Sequence, residues 1–358
     1  MTQWPGGPPN HQHGPWPPPP PPPPPPPRKS GGKALLAAVI SFAVVLVLGG
    51  AGLLAWRQLA GGGDAGSDAG EMDASSLEVL RKGRLTEQDV ARVDRTALFY
   101  ASWKATVTQP VMHITQASYT KRADFDRNRP DFVWESGYDY RTKEWQLAWG
   151  AGEADAPVSF CDDGRSFLYS YYLKKWSAGT QAETMCAPKR AYRYITDNLS
   201  TGGLTAEQAD VWVRALRTDY KGLVNPGELK LAEVGGKQYL RLTVDFTPVR
   251  RADGLYYGGQ LLMWSFKETK LDPQTHPYSY VGSMGTGYHA EYHLDPRTLL
   301  PAFSEIAETP APGRDGRPRA DAGFYAWRVR YHLPGRMPEL RTSGKPDRPA
   351  LDWPVGKR

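Results

Sequence analysis

Residues 34–56 carry no charged side chain and consist almost wholly of Ala, Val, Leu, Ile and Gly. As a helix rising 1.5 Å per residue, this run reaches about 34 Å, enough to cross the hydrocarbon core of a bilayer. Over that length only a helix satisfies its own backbone in lipid. A buried soluble helix fits less well, because the run has no polar face. The flanks set its direction. Arg28, Lys29 and Lys33 precede it, Arg57 follows it, and no acidic residue occurs before Asp64. The positive-inside rule then places the N-terminus in the cytoplasm and the rest of the chain outside a cell membrane crossed once. The run exceeds the apolar core of a signal peptide, and Arg57 and Gln58 interrupt any small-residue cleavage site, so the expectation is an uncleaved anchor.

This segment divides the chain. Residues 1–33 form a proline-rich cytoplasmic tail in which 17–27 are all proline, a polyproline II rod that builds no core. Two readings stand for it: a spacer, or a docking segment for a protein partner with an aromatic-lined groove. Residues 57–76, rich in Gly, Ala, Ser and Asp, read as a flexible linker. Residues 77–334 read as one extracytoplasmic β-rich domain, and 335–358 as a basic, Pro-rich, loosely ordered tail. The chain carries 44 Lys and Arg against 38 Asp and Glu. With three of the cations ahead of the apolar run, the remainder is nearly balanced and lacks the basic face of a nucleic-acid binder.

Within 77–334, Thr86-Glu87-Gln88-Asp89 marks a helix start, with Thr86 as N-cap and acids in the first turn, running to about Tyr100. A second helix begins at Thr205, whose partner Gln208 completes a capping box. Ala209, Trp212, Val213, Leu216 and Tyr220 follow at helical spacing, with Gly222 as the stop. Elsewhere the period is two. Leu240, Leu242, Val244 and Phe246 alternate with polar neighbours, as do Tyr288, Ala290, Tyr292 and Leu294, and Tyr325, Trp327, Val329, Tyr331 and Leu333. Further strands are expected around 111–121, 131–149, 157–173 and 299–307. The fold class is α+β: an antiparallel sheet covered on one side by a few helices, preceded by one transmembrane helix.

Candidate chemistry is sparse. Cys161 and Cys186 enclose a short loop and form a disulfide if the domain is exported, a link that stabilises by about 3 kcal/mol in the chain-entropy account. Free thiols are the alternative. His289, Glu291 and His293 share one strand face at i, i+2 and i+4. They offer two imidazoles and a carboxylate to a metal, but also make an ordinary polar strand face. No Gly-x-Ser-x-Gly elbow and no phosphate-binding glycine loop occur. Asp162-Asp163-Gly164 reads first as a hairpin turn. No catalytic residue, cofactor or metal ligand is assigned, and the expectation is a non-enzymatic protein.

Two segments carry a family resemblance. Asp163-Gly164-Arg165-Ser166-Phe167-Leu168-Tyr169 precedes Lys174-Lys175-Trp176, and Tyr292-His293-Leu294-Asp295-Pro296-Arg297-Thr298-Leu299-Leu300-Pro301 reads as strand, turn, strand. Both resemble the LolA/LppX-like carriers of bacterial envelopes. The resemblance spans about 77–333. It implies a curved antiparallel half-barrel with helices across its concave side, enclosing an apolar cavity for acyl chains. Two departures stand out: there is no lipobox cysteine, and the chain has its own anchor and polyproline tail. The leading expectation is a membrane-anchored domain that binds an apolar or lipid-like ligand. The alternatives are an envelope-sensing or protein-interaction module acting through the polyproline tail, and an extracellular hydrolase or metalloenzyme.

Overall fold

The period-two segments pair into a single open sheet. The computed structural model describes residues 72–151, 158–162, 165–170, 173–179, 199–271, 276, 285–310, 312–313, 317, 323–337, 351 and 353. All belong to the second of the chain's two units, Gly52–Arg358. The strands are β1 (Val111–Tyr119), β2 (Phe132–Asp139), β3 (Glu144–Ala151), β4 (Val158–Asp162), β5 (Arg165–Ser170), β6 (Lys175–Gly179), β7 (Val224–Val234), β8 (Lys237–Phe246), β9 (Val249–Arg250), β10 (Tyr256–Tyr257), β11 (Gly287–Leu294), β12 (Pro301–Thr309) and β13 (Ala326–Tyr331). Eleven of them, all but the β9–β10 pair, join in the order β6-β5-β4-β3-β2-β1-β13-β12-β11-β8-β7. Every pairing is antiparallel. β1 sits between β2 and β13, so the last strand closes against the first and joins the two halves of the sheet.

The helices are α1 (Ala74–Leu80), α2 (Glu87–Val90), α3 (Arg95–Val107), α4 (Arg122–Asp126), α5 (Ala206–Arg217) and α6 (Gly259–Lys267). The antiparallel α+β class therefore stands. Residues 34–56 lie outside the described residues. Among those described, no helix is long and apolar enough to cross a membrane.

Alternation decides which side is the core. Leu240, Leu242, Val244 and Phe246 of β8 are at most 1 % exposed, and Tyr288, Ala290 and Leu294 of β11 are equally buried. These side chains, with Met112 and Ile114 of β1 and Val329 of β13, pack under α3, α5 and α6. Each such aliphatic side chain contributes about 1.5–3 kcal/mol by leaving water. In α5 the expected stripe is buried at Ala209, Trp212, Val213 and Leu216, and both bonds of the Thr205–Gln208 capping box form. The helix stops at Arg217, ahead of Gly222, which takes the left-handed φ of +90° further on.

The helix expected from Thr86 to about Tyr100 is instead two. Thr86 caps α2 in a box with Asp89. A second cap, Asp94, accepts from the N–H groups of Thr96 and Ala97 and restarts the chain as α3. A short polar residue that bonds its own backbone favours a cap over a helix interior, so the two acids split the segment. Upstream, Asp73 caps α1, which draws Ala74, Ser75 and Ser76 from the expected linker into helix.

Among the elements that went unexpected, three show why. In β7 the Pro226-Gly227 pair masks the strand, and its pairing shifts register between Pro226 and Leu229, a bulge that absorbs the proline. α6 begins at consecutive glycines. A Cβ on Gly258 would lie 1.9 Å from the Thr286 carbonyl oxygen, so close approach of backbone explains the residue there. α4 is only five residues long.

The outer face is less solvated than alternation implies. Arg328 of β13, assigned to a polar face, is 4 % exposed. Ala117, Tyr119, Phe125 and Ala326 form a second small cluster there, with Leu351 packed against it. Arg328 donates to Glu305 at 3.0 Å and to Asn128 at 2.9 Å, and its guanidinium lies over Phe125 and Trp353. Two residues from the tail expected to be loose, Leu351 and Trp353, thus cover the sheet.

Candidate functional site

A small apolar space lies between α3 and the sheet. Phe99, Ser102, Trp103 and Thr106 line it from α3, with Ser200 from the segment before α5. Leu242, Tyr292, Leu294 and Pro301 line it from the strands. The walls are mainly apolar, with a few hydroxyls and one indole, a composition typical of small-ligand sites. Its free volume is about 10 Å³, room for about one water. Among the described residues this space is thus far smaller than the acyl-sized chamber implied by the resemblance, because α3 and the sheet are in contact there.

Aromatic rings form the contact. Trp103 meets Phe99 at 5.5 Å, Trp212 at 5.3 Å and Phe246 at 6.1 Å, and Trp212 meets Phe266 at 5.1 Å. Trp212 donates its indole N–H to Ser265 Oγ at 2.8 Å, and Ser265 donates onward to the Leu262 carbonyl. Trp103 Nε1 is buried and has no acceptor among the described residues. Gln116, fully buried on the inner side of β1, likewise leaves both amide atoms without a partner among them. Such orphan groups typically cost 1–3 kcal/mol each.

Beyond Ser200, which lines the space, the chain runs on as a mostly buried loop. The N–H groups of Gly203 and Leu204 donate to the carbonyls of Gln109, just past α3, and Val107, its last residue. Tyr140 receives the Gly202 N–H on its hydroxyl at 3.0 Å. His276 stacks on Tyr140 and places Nε2 2.9 Å from the Gly202 carbonyl. Burial holds this imidazole down to a pKa of about 4, so it is neutral and donates to that carbonyl. Loop, tyrosine and histidine come from distant parts of the chain, and no local pattern announces them.

The residues singled out by sequence fare differently. His289, Glu291 and His293 do share the outer face, but two of the three are engaged elsewhere. His289 Nδ1 lies 2.7 Å from Asp245, and Arg241 donates to Glu291 at 2.5 Å. Burial raises the Glu291 pKa, and the guanidinium outweighs it, leaving the carboxyl below its ordinary value. Burial keeps His293 below the usual imidazole range. A carboxylate already clamped by arginine is a poor metal ligand. Among the described residues, His113, Glu135 and His332 do converge, their ligand atoms within 4.8 Å of one another. They come from β1, β2 and the residue after β13, too far apart in sequence for any spacing rule to connect.

Asp162 closes β4 and pairs with Arg165 of β5, as a hairpin requires. Asp163, Gly164 and Cys186 lie outside the described residues, as does the side chain of Cys161, so the disulfide does too. In the second resemblance segment, Asp295 accepts from the N–H groups of Arg297 and Thr298 and pairs with Lys237 at 2.7 Å, building the turn between β11 and β12. In the first, Tyr169 pairs directly with Trp176 across β5 and β6.

No known protein family matches the chain, and no curated protein does. Among solved structures it is similar to the Mycobacterium tuberculosis lipoprotein LppX, at 9% identity and a TM-score of 0.33, covering 68% of this chain and 98% of that one. It is similar to LprF from Mycobacterium bovis at 8% identity and a TM-score of 0.31, covering 76% and 99%. The Pseudomonas aeruginosa MucA/MucB complex gives 13% identity and a TM-score of 0.26, with 72% of this chain covering 59% of the matched one. Overlaps this shallow transfer neither ligand nor partner.

Proposed function

We propose that this chain is a membrane-anchored, non-enzymatic domain that binds an apolar, lipid-like ligand between α3 and the inner face of its sheet. The observation that carries the reading is Trp103. Its indole N–H is buried without an acceptor among the described residues, at a mainly apolar seam. An ester or carboxyl oxygen at the end of an acyl chain supplies that acceptor, and the surrounding rings supply the apolar wall. Because the closed seam holds about 10 Å³, against roughly 300–1,000 Å³ for ligand pockets, binding requires the helices to lift from the sheet. The apolar run at 34–56 anchors the domain on the outer side of the membrane in this reading.

Native mass spectrometry of the full chain released from detergent micelles tests the ligand. A retained mass that extracts into organic solvent, and is diminished in Trp103→Phe, supports the reading. A bare polypeptide mass in every preparation sinks it. Digestion of intact cells by an added protease tests the anchoring: a domain outside is cut, and a domain inside survives.

A further inference from the structure

A different arrangement occupies the opposite face of the sheet, at its centre. We propose that His113, Glu135 and His332 form a binding site for a first-row divalent metal ion such as zinc. They belong to three neighbouring stretches of the sheet order β2-β1-β13, so the main-chain ladder fixes their spacing. The backbone N–H of His332 donates to the His113 carbonyl at 2.9 Å, which ties the two histidine positions directly. On β2, the residue paired with His113 is Gly137, which adds no side chain beside the imidazole.

The donors are nearly gathered. His113 Nε2 already lies 2.7 Å from Glu135 Oε1. The full set lies within 4.8 Å, compared with roughly 3.4 Å between donors of a tetrahedral zinc whose bonds are 2.0–2.1 Å long. The two imidazoles are stacked, with centroids 4.2 Å apart and planes 28° from parallel. A metal lies in the plane of each ring it binds, so one ring must turn about its Cβ–Cγ bond. His332 is the one to turn: its Nε2 shares a 2.9 Å hydrogen bond with the neutral Thr115 hydroxyl, whereas His113 is tied to a carboxylate. Two imidazoles and one carboxylate favour zinc, nickel or copper over calcium or magnesium, and leave a fourth position for water. Arg330, on the same face two residues before His332 and with its guanidinium over the Phe303 ring, is a like charge that weakens the site.

Titration of the full chain in detergent with zinc, together with the visible absorption of added cobalt, tests this. The His11-x-His13 pair of the N-terminal tail also offers imidazoles, so the parent for the test carries alanine at both. The expected result is one equivalent bound, a melting temperature that rises with zinc, at least ten-fold weaker binding in His113→Ala and His332→Ala, and tighter binding in Arg330→Gln. His332→Gln keeps a hydrogen-bonding group for Thr115 and separates a lost ligand from a lost fold. His289→Ala with His293→Ala leaves binding unchanged. No stoichiometric binding in that parent, or binding that survives both single histidine changes, overturns the proposal and leaves the cluster as a His–Glu hydrogen bond beside a ring stack.

Discussion

Trp103 and Trp212 meet edge to face, with ring centroids 5.3 Å apart and planes 73° apart, yet among the described residues only Trp212 has an acceptor for its indole N–H. The seam is thus satisfied on one side and unsatisfied on the other. Trp103→Phe removes the orphan donor, a gain of about 1–3 kcal/mol, and loses ring volume at a similar cost. The expected outcome is a melting temperature within a few degrees of the parent and clearly weaker uptake of a fluorescent fatty acid. Trp212→Phe strands Ser265 instead and is expected to cost about 2 kcal/mol or more in urea unfolding.

Glu308 and His276 give stability opposite slopes with pH. Burial raises the Glu308 pKa from 4.5 to about 7. The folded state then holds its proton more tightly than the unfolded one, and stability falls as pH rises from about 4.5 to 7. Burial lowers His276 from 6.5 to about 4, so its share is lost as pH falls through that window. Glu308→Gln is expected to raise the melting temperature above pH 7 and to leave it unchanged near pH 4.5. Thermal unfolding scanned from pH 4.5 to 8 checks both arms, and equal gains at the two ends would count against burial of the carboxyl.

Arg328 is 4 % exposed and joins Glu305, Asn128, Phe125 and Trp353. Arg328→Ala removes the guanidinium from Glu305, Asn128 and the two rings at once, and is expected to cost about 3 kcal/mol in chemical unfolding. Arg328→Lys keeps the charge but loses the planar fork and the stacking, and should fall between the two. Truncation before Leu351 should destabilise by a smaller amount, and no effect of that truncation would remove the tail from the outer face.

Two glycines are held for different reasons. Gly203 takes φ +76°, and a Cβ there would lie 2.3 Å from the Tyr140 ring. Gly258 has an ordinary φ of −118°, and the obstacle is the Thr286 carbonyl oxygen. Gly258→Ala meets rigid backbone and is expected to cost about 3 kcal/mol or more. Gly222→Ala, at φ +90° with nothing within 4 Å, carries only the conformational strain of about 1 kcal/mol.

What the chain determined locally it determined well. Side-chain period two put the inner faces of β8 and β11 in the core, and the Thr205–Gln208 box started α5 where it begins. These signals are short-range, because a pleat or a cap involves residues within four positions of one another. The break at Asp94 was present in the sequence as a second cap, and the length of the apolar pattern obscured it. The burial of Arg328 was not present there, since nothing near it in sequence says that Phe125 and Trp353 will cover it. The same holds for the candidate sites. His289, Glu291 and His293 share a face by alternation alone, but the neighbouring strand gives His289 to Asp245 and Glu291 to Arg241. His113, Glu135 and His332 meet only because β13 closes against β1, and the seam at Trp103 exists only where α3 lands on β8 and β11. Strand order and helix placement are set by which apolar faces find one another, and that choice belongs to the tertiary structure.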